Sequence, residues 1–220
     1  MGGEYLRDIT LYIAEGVGVT LKIFCVTLLF AVPLGVVCAL GKLSRLKPLH
    51  FVLGIYTWVF RGTPLLLQLV FTYYGLPYLT NQAVSFSPLM AAYVTFIINY
   101  GAYLTEIFRG GIQTIGRGQY EAAKALGMSQ RLTMRRIVLP QAVKAILPPM
   151  GNEAVTLVKD TALASAITVN ETLKLANRVM SRDFNVGALV IAACIYLLLT
   201  LIVIQLFRLL EKRFAYYSVK

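Results

Sequence analysis

The chain has 220 residues, of which 58% are hydrophobic and 14% are charged, and its formal net charge is +11. A soluble domain has about 25% charged residues, so this composition indicates a membrane protein. The positive charge does not indicate a nucleic-acid-binding protein, because the basic residues alternate with apolar segments instead of clustering in one polar domain.

The beginning of the chain predicts a short amphipathic helix over residues 3–15, without the basic stretch and apolar core of a cleaved signal peptide. The first membrane span is therefore expected to direct the chain to the membrane. Three cysteines, Cys25, Cys38 and Cys194, lie inside apolar segments without paired spacing. We expect them to pack as small hydrophobic residues, not to form a disulfide or zinc framework.

The sequence predicts five membrane spans, each of which needs about 20 mostly apolar residues. These spans lie near residues 16–41, 49–74, 88–108, 140–167 and 184–207. Residues 61–64 interrupt the second span, and Pro148, Pro149 and Gly151 are expected to break or kink the fourth. Residues 75–88 are expected to form a loop, and residues 171–181 a second amphipathic helix. The sequence thus predicts an all-α integral membrane protein with a single domain over residues 1–220.

Residues 109–139, between the third and fourth spans, form the longest charged segment. Helical periodicity divides it into two short helices, over residues 119–126 and 129–138. Gly127 lies between them and allows a left-handed turn at the end of the first helix, and Ser129 is suited to cap the second. This hairpin is not buried in the bilayer, so we expect it to lie in water against another protein. The alternative is a surface hairpin of no particular role.

Basic residues predict the orientation in the membrane. They are concentrated in the loops after the first and third spans and at the C-terminus: Lys42, Arg45, Lys47; Arg109, Arg117, Lys124, Arg131, Arg135, Arg136; Arg208, Lys212, Arg213, Lys220. The loop between the second and third spans is uncharged, and the N-terminal segment is net acidic. The positive-inside rule therefore places the N-terminus outside and the hairpin and C-terminus in the cytoplasm. Lys174, Arg178 and Arg182, between the fourth and fifth spans, are a minor exception.

The hairpin also carries a recognisable set of residues. These are Glu121, Ala122, Ala123 and Gly127, followed by Ile137, Leu139 and Pro140. The set resembles the EAA loop of ABC importer permeases, and segments 61–69, 109–127 and 151–165 are similar to the polar amino acid branch of that family. The resemblance implies a type I importer-like permease of the bacterial inner membrane. It also implies that Glu121, Ala122, Ala123 and Gly127 couple the chain to an ATPase.

The same resemblance implies several partners. They are cytoplasmic ATP-binding subunits, a second permease subunit taken as an identical chain (a homodimer), an extracytoplasmic amino-acid-binding protein, an amino acid substrate and the lipid bilayer. No nucleic acid and no cofactor are expected on this chain, since the ATPase binds ATP and Mg. Residues 111–118 have the glycine spacing of a phosphate loop but lack its lysine and hydroxyl.

Ionisable residues inside the spans predict the substrate site, because charge at membrane depth usually faces a bundle interior or a water-filled path. Glu153 and Asp160 are seven residues apart, so they lie within about 20° on one helix face, about 10 Å apart along the axis. Thr156 lies near the same face. A pair of carboxylates attracts a cation, so we predict a basic amino acid: arginine, lysine, histidine or ornithine.

The third and second spans add further candidates. Asn99, Tyr103 and Glu106 follow helical spacing in the third span, although a structural salt bridge between Glu106 and Arg109 is an equal alternative for Glu106. In the second span, Gln68 is polar. A helix break at Thr63 and Pro64 would free backbone groups to bind a ligand's charged ends. The predicted substrate-binding residues are Glu153, Asp160, Asn99, Gln68 and Thr63.

Two roles are possible for Arg61, because it could bind a substrate carboxylate or pair with Glu106 or Glu153.

The overall prediction is a permease subunit of an ATP-driven importer for polar, preferentially basic, amino acids. The alternative is a membrane-embedded enzyme that uses Glu153 and Asp160 as an acid/base or metal-binding pair. That alternative lacks a second ligand cluster, a nucleophile elbow and a catalytic histidine, since His50 lies alone at the start of a span. It also gives the hairpin no role, so we predict no enzymatic activity.

Overall fold

The computed structural model describes residues 2–214, and this part of the chain is helical without any strand. The helices are α1 (Gly2–Glu15), α2 (Val17–Leu43), α3 (Lys47–Gly62), α4 (Leu65–Val70), α5 (Leu76–Leu79), α6 (Pro88–Gln113), α7 (Arg117–Ala125), α8 (Gln130–Thr133), α9 (Leu139–Asp160), α10 (Thr172–Asp183) and α11 (Gly187–Phe214). π-Helical turns at Phe71–Gly75 and Met134–Val138 join α4 to α5 and α8 to α9, and a 3-10 segment, Thr161–Ile167, follows α9. Lys220, one of the basic residues that predict the orientation, lies outside the described residues.

Two helical segments of residues 2–214 are long and apolar enough to cross a membrane by length and composition, Gly3–Leu43 and Gly187–Phe214. The other three predicted spans correspond to α3 with α4, to α6 and to α9, which carry helix breaks or ionisable residues. The break predicted in the second span is present, because α3 ends at Gly62 and α4 begins at Leu65. The predicted start of the following loop at residue 75 is wrong, since helical structure continues to Leu79.

The fourth span was predicted to break or kink at its prolines. It does not break there, because α9 runs through Pro148 and Pro149 to Asp160. Two prolines remove two helical hydrogen bonds. However, α9 packs against both α6 and α11, and this packing holds the helix together. Gly151 lies where a Cβ would be 3.1 Å from the Phe207 ring, which allows the close approach of α11.

Helix α6 forms the centre of the bundle, because it packs against α2, α3, α4 and α9. Its buried residues include Phe96 and Leu104, which pack in the main hydrophobic core with Ile23 and Ala31 of α2. Gly35 of α2 lies so close to α6 that a Cβ there would be 2.8 Å from the Leu104 Cβ. The central position of α6 brings its polar residues close to both α3 and α9.

A second layer joins α1, α10 and α11 around Ile9, Ile13 and Val179. The predicted amphipathic helix over residues 171–181 is present as α10, with Glu171 as its N-cap. The Glu171 carboxylate is fully buried and accepts hydrogen bonds from the backbone N–H groups of Leu173 and Lys174 and from another side chain, the Tyr196 hydroxyl. Burial raises the pKa of Glu171 above its usual value, although these donors act in the opposite direction.

The hairpin predicted between the third and fourth spans is present. Gly127 has φ +73°, and the N–H groups of Gly127 and Met128 bond to the carbonyls of Lys124 and Ala123, which is the Schellman arrangement at the end of α7. Ser129 caps α8, as its hydroxyl accepts a hydrogen bond from the Leu132 N–H. The predicted separation of a 129–138 helix from the fourth span is wrong, because α8 continues through the π-helical turn into α9 without a break.

Candidate substrate-binding cavity and coupling hairpin

A cavity of about 610 Å³ lies where the break between α3 and α4 meets α6 and α9. The break forms one wall with residues 61–66. The remaining lining residues are Asn99, Tyr100 and Tyr103 of α6, Glu153, Thr156 and Asp160 of α9, and Leu163 of the 3-10 segment. Four of the five predicted substrate-binding residues, Glu153, Asp160, Asn99 and Thr63, therefore line one cavity.

The two carboxylates in this cavity have different surroundings. Asp160 accepts a hydrogen bond from the Tyr100 hydroxyl at 2.8 Å, and Tyr100 itself is almost fully buried. In the part of the chain that the structure describes, no donor bonds to the half-buried Glu153. Tyr100 was not among the sequence candidates. It follows the candidate Asn99 in the sequence, but its hydrogen bond to Asp160, 60 positions away, leaves no local pattern in the sequence.

Arg61 lies in the wall of the cavity with its guanidinium over the Tyr103 ring, 5.3 Å from the ring centroid. The salt bridges within residues 2–214 do not include Arg61, so neither of its predicted pairings, with Glu106 or with Glu153, is formed. The cavity therefore combines one guanidinium with two carboxylates.

Glu106 lies outside the lining of this cavity and has a structural role. It forms salt bridges with Arg109, three residues later, and with Lys42 of α2. Lys42 also donates to the Thr57 hydroxyl of α3 at 2.8 Å. The salt bridge between Glu106 and Arg109, which was the structural alternative for Glu106, is thus present. With Lys42 and Thr57 it forms a cluster that connects α2, α3 and α6.

Gln68, the fifth predicted substrate-binding residue, does not line this cavity. Its side chain turns back toward the end of α3, where Nε2 donates to the Thr63 hydroxyl at 2.7 Å and to the Phe60 carbonyl at 3.0 Å. Gln68 lines a second cavity of about 450 Å³ instead, on the apolar side of the break. Asn99 does line the first cavity, but its amide nitrogen also donates to the Phe60 carbonyl, at 2.9 Å.

The four predicted coupling residues differ in exposure. Glu121 and Ala122 are exposed on α7, whereas Ala123 is only 1% exposed and packs within the chain. Gly127 lies at the tip of the hairpin, where a Cβ would meet no other atom within 4 Å. Beside them, Tyr120, Lys124 and Met128 contribute to a surface groove of about 440 Å³. The hairpin thus presents an exposed helix and a groove to solvent.

Residues 2–214 contain no group of three or more His, Cys, Asp or Glu side chains placed to hold a metal ion. The fold, with its broken second span, its central polar cavity and its helical hairpin between spans, defines a permease subunit of the type I ABC importer class. Comparison with known proteins identifies the family within that class.

The chain belongs to the family described as the binding-protein-dependent transport system inner membrane component, whose family model matches residues 31–216. Similar curated proteins include a putative glutamine transport system permease, GlnP, from Rickettsia bellii, 37% identical over 96% of this chain and 97% of the relative. The arginine transport system permease ArtQ of Bacillus subtilis is 38% identical over 92% of each chain. The L-cystine permease TcyB of the same organism is 34% identical over 94% of this chain and 88% of the relative.

Solved structures agree with this family. A crystal structure of an amino acid ABC transporter with histidines superposes with a TM-score of 0.87 and 35% identity, covering 95% of this chain and 97% of that one. The inward-facing MetNI methionine transporter has a TM-score of 0.73 over 97% and 99% of the two chains at 15% identity, which supports the fold alone. The chain is therefore an amino acid ABC transporter permease of the inner membrane, not an enzyme, and these predictions are confirmed.

Proposed function

We propose that this permease imports polar amino acids with a preference for basic ones, and that the cavity between the helix break, α6 and α9 is its substrate site. The observation that carries this proposal is the charge of the cavity, which contains the Glu153 and Asp160 carboxylates and the Arg61 guanidinium. With all three ionised, the fixed charge is −1, which complements a basic amino acid of net charge +1.

The arrangement supports one binding mode. Arg61 is available for the substrate α-carboxylate, because its guanidinium lies over the Tyr103 ring and forms no salt bridge within residues 2–214. Glu153 and Asp160 bind the cationic side chain and the α-amino group, Thr63 provides a polar contact at the wall, and Asn99 lines the wall without contacting the substrate side chain. A neutral amino acid would leave one carboxylate without a counter-charge, and an acidic one would leave more negative charge uncompensated.

The relatives do not by themselves decide the substrate, since their names include glutamine, arginine and cystine systems. The charge of the cavity favours the basic member of this group. Lysine and ornithine fit the same charge rule, histidine fits it only in its protonated form, and glutamine remains the neutral alternative.

The family and the charge pattern support a proposal for the assembly. Two copies of the chain, each a single permease domain over residues 1–220, form a homodimer on two cytoplasmic ATP-binding subunits, which bind ATP and Mg. An extracytoplasmic amino-acid-binding protein delivers the substrate. The N-terminus is outside and the C-terminus cytoplasmic, so that Glu121, Ala122, Ala123 and Gly127 face the ATPase, with Ala123 acting through packing of α7.

Binding of arginine and of citrulline to the purified complex tests this function directly, because the two molecules have nearly the same shape and differ by the side-chain charge. A charged hydrogen bond contributes about 1.5–3 kcal/mol, so we expect arginine to bind at least about tenfold more tightly. Scanning the twenty amino acids should place basic ones first and aspartate and glutamate last. Equal affinity for arginine, citrulline and glutamine would show that the cavity is not a cation site.

A further inference from the structure

We infer that Asn99 and Gln68 are positioning residues, which hold the break between α3 and α4 in the shape that forms the cavity wall. They act on the backbone of the break, not on the side chain of the substrate. The inference rests on the proposed function only in taking the cavity as the substrate site.

The need for such residues begins at Pro64. A continuous helix would pair the Phe60 carbonyl with the N–H of residue 64, but proline has no N–H. The Phe60 carbonyl is therefore left without its helical donor, and a backbone carbonyl inside a helix bundle needs another donor in its place. Asn99 Nδ2 donates to this carbonyl at 2.9 Å and Gln68 Nε2 donates to it at 3.0 Å. Two side-chain amides thus replace the missing backbone donor.

The two amides are also bonded to each other and to the break itself. Gln68 Oε1 accepts from Asn99 Nδ2 at 2.9 Å, and Gln68 Nε2 lies 3.1 Å from the Thr63 carbonyl as well as 2.7 Å from its hydroxyl. Asn99 is only 3% exposed, so its contacts are largely confined to the protein. This amide clamp, defined as Asn99 and Gln68, joins the end of α3, the start of α4 and the middle of α6.

The clamp and the substrate cavity share one segment of backbone. Residues 61–66 form the cavity wall on one side, while Gln68 lies on the other side of the break, in the second cavity. Loss of the clamp should therefore displace Arg61 relative to Glu153 and Asp160. Because this displacement alters the whole site, the affinity for every amino acid should fall by a similar factor.

A double-mutant cycle between Asn99 and Gln68 tests the clamp, with substrate binding to the complete complex as the measurement. Asn99→Ala should weaken arginine binding about tenfold in the wild-type background, as expected when a buried carbonyl loses a donor. Because Gln68 bonds both to Asn99 and to the same Phe60 carbonyl, a Gln68→Met background should change the cost of Asn99→Ala by at least about twofold. An equal loss in both backgrounds would overturn the inference.

Gln68→Met provides a second variant with similar size and no donor, and Thr72→Val is its matched control. Thr72 lies one turn later and donates only to the carbonyl of Gln68 at 2.9 Å. We expect Gln68→Met to weaken arginine and citrulline by the same factor, with their ratio unchanged, and Thr72→Val to change neither. A changed ratio would mean direct contact with the substrate side chain and would overturn the inference.

These outcomes separate the clamp from the proposed function. If wild-type protein did not distinguish arginine from citrulline, the cation site would fail. The cycle could still be measured with whichever amino acid binds.

Discussion

At the scale of single residues, Glu153 and Asp160 illustrate how two similar carboxylates acquire different surroundings. Both line the cavity from one face of α9, as their seven-residue spacing predicts. Asp160 is held by the Tyr100 hydroxyl, whereas Glu153 has no hydrogen-bond donor within the described residues. Glu153 is therefore the carboxylate with the greater unused capacity for a cationic ligand.

Neutralising these carboxylates should weaken binding of basic amino acids. We expect Glu153→Gln to weaken arginine binding on the order of tenfold, through loss of a charged hydrogen bond, and Asp160→Asn to have a similar or larger effect. Citrulline binding should change much less in Glu153→Gln. Lys174→Gln is the control, because Lys174 lies on α10 outside the cavity lining. Unchanged arginine binding in Glu153→Gln would contradict the assignment.

At the scale of structural elements, the hairpin and the helix break are both defined by residues with unusual backbone properties. The turn after α7 needs a left-handed residue, which Gly127 supplies at φ +73°. The break before α4 follows from Pro64, which lacks an N–H. In each case one residue ends a helix locally, and neighbouring groups then satisfy the freed backbone.

Replacing Gly127 should disturb coupling and leave the membrane spans intact. Gly127→Val places a β-branched residue in the left-handed region, which is strongly disfavoured, so the Schellman turn should distort. We expect normal membrane insertion and substrate binding, with several-fold loss of substrate-stimulated ATPase activity. Gly118→Val is the matched control, since Gly118 lies in α7 with no atom within 4 Å of its Cβ position. Full stimulation in Gly127→Val, or loss of insertion alongside transport, would contradict a docking role.

At the scale of the whole molecule, apolar side chains cover much of the outer surface. Trp58 and Phe51 of α3 and Leu197 of α11 are among the most exposed large hydrophobic residues. Such surfaces are stable against lipid tails or against a second subunit.

The composition of the complete assembly is measurable. We expect intact-mass measurement of the co-purified membrane complex to give two copies of this chain and two ATP-binding subunits. A stoichiometric second permease species would contradict the homodimer.

The sequence by itself determined the features that depend on neighbouring residues. Gly127 and Ser129 gave the hairpin and its cap, and the seven-residue spacing placed Glu153 and Asp160 on one face. These features follow from helical periodicity, backbone stereochemistry and capping, which act over a few residues.

Only the tertiary structure decided which distant side chains meet. It placed Tyr100 on Asp160, Lys42 on Glu106 and the Arg61 guanidinium over Tyr103, and it turned Gln68 away from the cavity. It also kept α9 continuous through its two prolines. These outcomes depend on how α2, α3, α6 and α9 pack together, and packing between residues 42 to 64 positions apart leaves no periodic signal in the sequence.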